Sequence, residues 1–416
     1  MYGPTPQDVL ILGAGNIGRG VVAARVAAVG FRPVLVVSRD ALRRDLARAG
    51  VYTVHLVGGA EGDSEVRVSD FAVLSTGDTT AIDQAVTACD FATISVGGHN
   101  LHRVAPLLAP GLARRDGALR ILVCENMPGA DRALIEHLTE HGVAPGARKT
   151  GDSHRSRSMR FDLSRRSDTE IGGCHRFSAV RTSVEPMFRP ADQGVDIIGE
   201  AALPVFVNRT DWGDDPPVIP GFEFVEDVEP YYARKLFTNN AGHAHIAYLG
   251  AWAGYSLVHE AAVDPRIALP LRTMFEAAAD ALSSRFGLPA PDLAAHIDHL
   301  LCVRYVSTRF CDTIARLARD PLRKLGPGER LIGLLRLLES CGMPSDSVCP
   351  AIAAALRYRS ADDPSAPRMA EMIAEGGPGQ VLTEVCGLQP SEPAYVRTLA
   401  LHAELERGSL PDERGA

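Results

Sequence analysis

The chain has no surplus of positive charge. Its 43 Lys and Arg stand against 51 Asp and Glu, a formal net charge of -8. A nucleic-acid-binding surface usually shows as a basic excess, so no nucleic-acid partner is expected. Paired cysteines are also missing. The eight cysteines, Cys89, Cys124, Cys174, Cys302, Cys311, Cys341, Cys349 and Cys386, form no CxxC pair and no Cys/His cluster with zinc-finger spacing, so no metal site is expected. Scattered in this way they read as buried thiols of a reducing compartment. No run of 18 apolar residues occurs, so no membrane span is expected. The opening residues Met1-Tyr2-Gly3-Pro4 show no basic stretch followed by an apolar one and a cleavage site. These absences predict a cytoplasmic protein with no membrane partner, and no internal repeat is visible.

What is present points to two domains. A chain of 416 residues is too long for one comfortable core, and 46% hydrophobic with 23% charged residues is ordinary globular composition. Apolar runs at Val9–Leu12, Val34–Val37, Phe91–Val96 and Leu119–Cys124 read as buried parallel strands, with helices over Val21–Val29 and Ala41–Ala49 between them. This is the strand–helix–strand grammar of a doubly wound α/β sheet. From Pro230 onward, alanine- and leucine-rich segments such as Tyr232–Tyr255, Leu271–Phe286 and Arg330–Cys341 read as helices. The expected fold is an N-terminal Rossmann-type α/β domain over residues 1–229 and an all-α domain over residues 230–416. Residues 146–176 are rich in Arg, Ser, Asp and His; they read either as a solvated insertion or as a basic surface for a phosphorylated substrate. The tail from Gly408 is polar and expected to fray.

Gly13-Ala14-Gly15-Asn16-Ile17-Gly18 follows the first strand and opens the first helix. In a G-x-G-x-x-G loop the first glycine allows a tight turn. The second lets the backbone approach a pyrophosphate at the helix N-terminus, and the third permits close packing of helix on strand. Gly13, Gly15, Asn16, Ile17 and Gly18 are therefore candidate dinucleotide contacts, the alternative being a glycine-rich turn with no ligand. At the end of the second strand, an NAD protein usually carries Asp or Glu for the ribose 2′-hydroxyl. This chain has Ser38-Arg39, with Asp40 one step later and Arg43-Arg44 in the helix. A hydroxyl and a guanidinium suit a 2′-phosphate, which favours NADP(H). The competing reading lets Asp40 reach the ribose and leaves the arginines on a solvated face.

The stretch from Arg234 to His243 carries Lys235, Asn240 and His243. On a regular α-helix, at about 100° per residue, Lys235 and His243 lie about 80° apart, and Asn240 lies about 60° from His243 on its other side. A lysine, an amide and an imidazole on one broad arc could serve proton removal and alkoxide stabilisation, given a lysine pKa lowered by burial and nearby positive charge. Alone, the same helix could be structural, with Lys235 solvated and His243 a satisfied core histidine.

Lys-x-x-x-x-Asn-x-x-His resembles the signature of the long-chain polyol dehydrogenases, which use no metal. Gly13 through Gly20, Cys124-Glu125-Asn126-Met127, Lys235 through Ala244 and Pro321-Leu322-Arg323-Lys324-Leu325 look most like the branch acting on mannitol 1-phosphate, as does the text from Pro321 through Leu388. The resemblance implies a Rossmann domain followed by a helical one, with the active site between them. It also implies that Lys235 is the general acid/base, that Asn240 and His243 hydrogen-bond the reacting oxygen, and that Asn126 positions substrate and nicotinamide. Arg323 and Lys324 would contact the substrate anion, or else form a salt-bridged helix start. The expected reaction is metal-independent hydride transfer between a nicotinamide cofactor and a sugar alcohol phosphate/ketose phosphate pair, by default mannitol 1-phosphate and fructose 6-phosphate. NAD(H) is the family norm, and the expected assembly is a monomer or homodimer.

The chain departs from that family in three places. Ser38-Arg39 replaces the acidic strand end. Residues 146–176 are longer than expected. The usual Val-Asp-Arg-Ile-Val-Pro is replaced by about Ser183-Val184-Glu185-Pro186-Met187-Phe188-Arg189-Pro190. The first and third of these changes support a second reading, the same chemistry on a free polyol or a modified sugar phosphate. A third reading is a non-catalytic dinucleotide-binding sensor, which would not need Lys235, Asn240 and His243 together.

Overall fold

The computed structural model describes residue 3 and residues 7–59, 62–127, 129–145, 176–201 and 203–408; of the polar stretch predicted at 146–176, all but Arg176 lies outside them, as does the tail after Gly408. The chain divides into two compact units, residues 1–229 and 230–416.

The first unit opens with β1 (Asp8–Leu12), every residue of which is buried. A π-helical stretch, Asn16–Ala23, runs into α1 (Ala24–Ala27), and β2 (Arg32–Val37) and α2 (Asp40–Ala49) follow. Then come β3 (Tyr52–Gly59), β4 (Gly62–Val68), β5 (Ala72–Ser75), α3 (Thr79–Ala88), β6 (Phe91–Ile94), α4 (Leu101–Arg114), β7 (Leu119–Val123) and α5 (Ala130–Glu140). The unit continues through β8 (Phe177–Val184), β9 (Phe188–Pro190), β10 (Ile197–Glu200), β11 (Val205–Asn208), α6 (Arg209–Trp212) and β12 (Phe222–Val225).

The main sheet has the order β12-β11-β8-β7-β6-β1-β2-β5, and the six strands from β5 to β8 are all parallel. In sequence order along that ladder they run 3-2-1-4-5-6, the doubly wound order in which ligands bind where the strand order reverses, here beyond β1. Alternate residues feed two apolar layers. Val9, Ile11 and Phe91 face one, while Leu10, Leu12, Val34 and Ile94 face the other. Asp8 would be costly to bury alone, but its two oxygens take Nε and Nη2 of Arg32 at 2.8 and 2.9 Å, which pins β1 beside β2. The four strands expected from the sequence are present. A second sheet, β4-β3-β10-β9, was not expected from the sequence. β4 is almost wholly exposed and β9 is three residues long, so neither carries an apolar run that could signal a strand.

Every regular element described in the second unit is helical. The order is α7 (Glu229–Arg234), a π-turn (Lys235–Asn240), α8 (Ala241–Ala253), α9 (Val258–Ala261), α10 (Pro265–Phe286) and α11 (Ala290–His299). A π-turn at Leu300–Arg304 then leads to α12 (Ile314–Ala318), α13 (Pro321–Lys324), α14 (Ile332–Ser340), α15 (Cys349–Arg357), α16 (Ala366–Gly376), α17 (Pro378–Glu384) and α18 (Pro393–Glu406). The core gathers Ile246, Tyr248, Phe275, Leu335 and Ile352 among others. α10 starts six residues before the apolar pattern does. Asp264 caps it by accepting from Arg266 N at 2.9 Å, Pro265 takes the first turn, and Gly287 at φ +69° ends it. No helix among the described residues is long and apolar enough to cross a membrane.

Candidate active site

The candidate site residues fall into two constellations, one in each unit. In the first, the glycine loop is shaped by close approach. Gly13 sits at φ +99°, and a Cβ there would meet Ser95 O at 2.3 Å; a Cβ on Gly18 would meet Gly13 O at 2.0 Å. Neither position tolerates a side chain. A Cβ on Gly15, by contrast, would meet nothing within 4 Å, so open space lies where a phosphate would approach. The Ser95 hydroxyl donates to Gly13 O at 3.0 Å and fixes the turn. The helix opened by Asn16 and Ile17 presents amides with no partner within the helix, which favours an anion.

A cleft of about 480 Å³ lies at this loop. Gly13, Ala14 and Gly15 line it together with Ser38 and Arg39 from the end of β2, Thr76 beyond β5, Ser95 and Val96 beyond β6, and Asn100, Arg103 and Leu107 on α4. Among the described residues the lining includes two arginines and no carboxylate. Asp40, the acid of the competing ribose reading, is not in the lining and is paired with Arg43 at 3.2 Å. The residues present therefore fit a dinucleotide: an open glycine at a helix start, apolar walls for a base, and a cationic far end.

Two neighbours of this loop escaped sequence reading. Arg19 is buried at 3% exposure; it donates through Nε to Ala14 O at 2.9 Å and through Nη1 to Val195 O, and burial lowers its pKa. Its place in Gly18-Arg19-Gly20 gave no hint of burial. Glu125 accepts from Val96 N at 2.6 Å and Gly97 N at 3.0 Å, binding the turn after β6 to the end of β7; burial raises its pKa against the pull of those two amides. An acid at the end of a parallel strand was the available signal. Asn126 stands exposed beside it at the strand end.

In the second unit, Lys235, Asn240 and His243 are half-buried, and the helix carrying them is not a uniform α-helix. Lys235–Asn240 is a π-turn, with Ala241 N bonded to Leu236 O. One extra residue in a turn sets everything after it back by about 100°. Lys235 and Asn240, about 140° apart on an α-helix, come to about 40°, and all three side chains fall within an arc of about 60°. The His243 ring packs edge-on against Tyr305, centroids 5.0 Å apart, and the Tyr305 hydroxyl donates to Asn239 O at 3.1 Å. Below the turn, the Thr238 hydroxyl donates to Arg234 O at 2.6 Å and so accepts from Nε2 of His296 at 3.0 Å. Close packing supports the geometry, since a Cβ on Gly242 would meet the Tyr305 hydroxyl at 2.4 Å and Phe275 at 2.5 Å.

Arg323 is ion-paired with Asp320 at 2.7 Å and Glu329 at 3.2 Å. Lys324 is 6% exposed and donates inward to Leu317 O. Among the described residues no group of three or more His, Cys, Asp or Glu is arranged to hold a metal ion.

A 3-2-1-4-5-6 sheet with a glycine loop at its switch point, followed by a helical unit, defines a class of two-domain dinucleotide-binding proteins. Comparison with known proteins narrows the class. The mannitol dehydrogenase Rossmann domain matches residues 7–152, and the mannitol dehydrogenase C-terminal domain matches residues 227–385. The mannitol-1-phosphate 5-dehydrogenases of Arthrobacter sp. and Pseudarthrobacter chlorophenolicus are each 31% identical over 95% of this chain and 97% of their own. That of Paenarthrobacter aurescens is 32% identical over 92% of this chain and 95% of its own. The fold matches Pseudomonas fluorescens mannitol 2-dehydrogenase, solved in a ternary complex with NAD and D-mannitol, at a TM-score of 0.71 and 16% identity, covering 97% of this chain and 92% of that one. It matches a substrate-free D-sorbitol dehydrogenase at a TM-score of 0.70 and 14% identity, covering 98% and 94%. The chain belongs to the mannitol dehydrogenase family, as its motifs implied.

Proposed function

We propose that this protein is an NADP(H)-preferring polyol-phosphate dehydrogenase that interconverts a sugar alcohol phosphate and a ketose phosphate, by default mannitol 1-phosphate and fructose 6-phosphate. The observation that carries the reading is the π-turn that gathers Lys235, Asn240 and His243 on one narrow arc, in a chain of this family. A nicotinamide cofactor held at the glycine loop supplies the hydride acceptor or donor. Lys235 takes the proton of the substrate hydroxyl during oxidation and returns it during reduction. Asn240 and His243 hydrogen-bond the same oxygen as negative charge develops on it, and Asn126 orients the substrate. The partners of Arg323 and Lys324 favour the salt-bridged helix start over an anion contact for that pair. The absence of a carboxylate among the described residues of the cleft and the pairing of Asp40 with Arg43 support NADP(H).

The test is the initial rate of fructose 6-phosphate reduction with NADPH and with NADH, followed at 340 nm, for the wild type and Lys235→Met. Turnover faster with NADPH is expected. Removing a general base or acid typically loses 10²–10⁴-fold in rate, and cofactor binding should survive in the variant. Turnover retained by Lys235→Met would refute its role. The replaced segment from Ser183 to Pro190 favours a second reading, a specialised sugar phosphate or free polyol. Turnover of such a substrate in preference to fructose 6-phosphate would establish it.

A further inference from the structure

The cleft at the glycine loop holds a second cation that the sequence did not point to. Asn100, Arg103, Val104 and Leu107 all line it, the i, i+3, i+4, i+7 pattern of one helix face, so α4 turns that face toward the cofactor cleft. Asn100 is held at the start of the helix by donating to Val96 O at 2.9 Å. Arg103 therefore reaches the same space that Arg39 enters from the end of β2. Neither guanidinium has a hydrogen bond or ion pair among the described residues, although most other arginines close by are engaged: Arg43 with Asp40, and Arg19 with two carbonyls. Among its described residues the cleft offers them no carboxylate. Two uncommitted guanidiniums from different elements, beside the hydroxyl of Ser38, match the charge and the oxygen geometry of a phosphate monoester. A plain ribose would leave both charges unanswered.

We propose that Arg103 is the second guanidinium of a clamp for the 2′-phosphate of NADP(H), acting with Arg39 and Ser38. The proposal rests on the NADP(H) reading given above and assigns part of that preference to α4. The apolar residues Leu42, Val96, Val104 and Leu107 in the same lining provide the walls for the adenine ring.

The test uses fragments that carry only this end of the cofactor. The full chain is titrated calorimetrically with 2′,5′-ADP and with 5′-AMP, as wild type, Arg39→Ala and Arg103→Ala. Arg103 is exposed, so the variant is expected to fold, and its thermal transition checks this. The wild type should bind 2′,5′-ADP more tightly than 5′-AMP. Each variant should lose about 10- to 100-fold for 2′,5′-ADP, with 5′-AMP changed by less than about twofold. If Arg103→Ala weakens both ligands equally, Arg103 stacks on the base and the clamp is overturned. If it weakens neither while Arg39→Ala abolishes the preference, Arg103 alone is removed from the site and the NADP(H) reading stands. A wild type with no preference for 2′,5′-ADP overturns the NADP(H) reading itself, and the clamp with it.

Discussion

Replacing Lys324 by methionine removes a buried amine and keeps most of the unbranched chain that fills its place. The side chain is 6% exposed and donates to Leu317 O. Burial first, then the neighbouring Arg330 and Arg323, bring its pKa from 10.5 down to about 7, against the opposing pull of Asp320 and Asp363. In the unfolded chain the amine keeps its proton up to about 10.5, and in the folded chain it gives it up near 7. Between these limits the unfolded state holds about one proton more, so raising the pH favours folding, by about 1.36 kcal/mol per pH unit. From pH 7.5 to 9 the wild type should gain about 2 kcal/mol that Lys324→Met does not. Other groups, such as the buried thiols of Cys89 and Cys386, which burial pushes up to about 12, titrate in both proteins and cancel in the difference. At pH 6.5 the variant should be the more stable by about 3.5 kcal/mol, after about 1 kcal/mol for the lost hydrogen bond. The assay is urea unfolding followed by circular dichroism at a series of pH values. A gap between the two proteins that does not narrow with pH, or a variant less stable at pH 6.5, refutes the reasoning.

Gly18→Ala forces a methyl against Gly13 O at 2.0 Å, so the loop must open. NADPH binding, measured by fluorescence titration, should fall by about 5- to 150-fold, as overpacking of about 1–3 kcal/mol implies; unchanged affinity would show that the loop is not the cofactor cradle. Thr238→Val keeps the shape but leaves the buried His296 N–H without the oxygen it donates to. Stability should drop by about 1–3 kcal/mol in denaturant unfolding, and an unchanged midpoint would mean that the histidine finds another acceptor.

The parallel strands were legible because strands buried on both faces are continuous apolar runs, and Leu10, Ile11, Val34 and Leu35 are all fully buried. The same rule hid β4 and β9, one facing solvent and the other too short to hold a pattern. Lys235, Asn240 and His243 could be picked out by residue type and set on one broad arc by α-helical spacing, but the narrow arc made by the π-turn could not be read. An i→i+5 turn leaves no trace in the hydrophobic spacing, and the packing of Gly242 against Tyr305 and Phe275 comes from residues far along the chain. Arg103 stayed hidden for a similar reason. Which face of α4 meets the cofactor cleft depends on the order of strands in the sheet. The burial of Lys324 was equally invisible, since a lysine beside an arginine reads as an anion contact or as half of a salt-bridged helix start.

The glycine loop and the altered segment after β8 are one mechanical body. Asn16 donates to Phe188 O at 3.0 Å, Arg19 bridges Ala14 O and Val195 O, and the Phe188 ring fills the space that side chains on Gly20 and Gly199 would need. A shift of β9 is thus transmitted to the loop through the Asn16–Phe188 hydrogen bond and a ring in close contact, and a shift of the turn after β9 through Arg19 and Val195. Thermodynamic reciprocity then applies: by whatever factor a ligand held at β9 changes the dinucleotide affinity, the bound dinucleotide changes the affinity for that ligand by the same factor. A redesign of residues 183–190 for a different sugar would be read first in the dissociation constant of the cofactor, before any substrate is added.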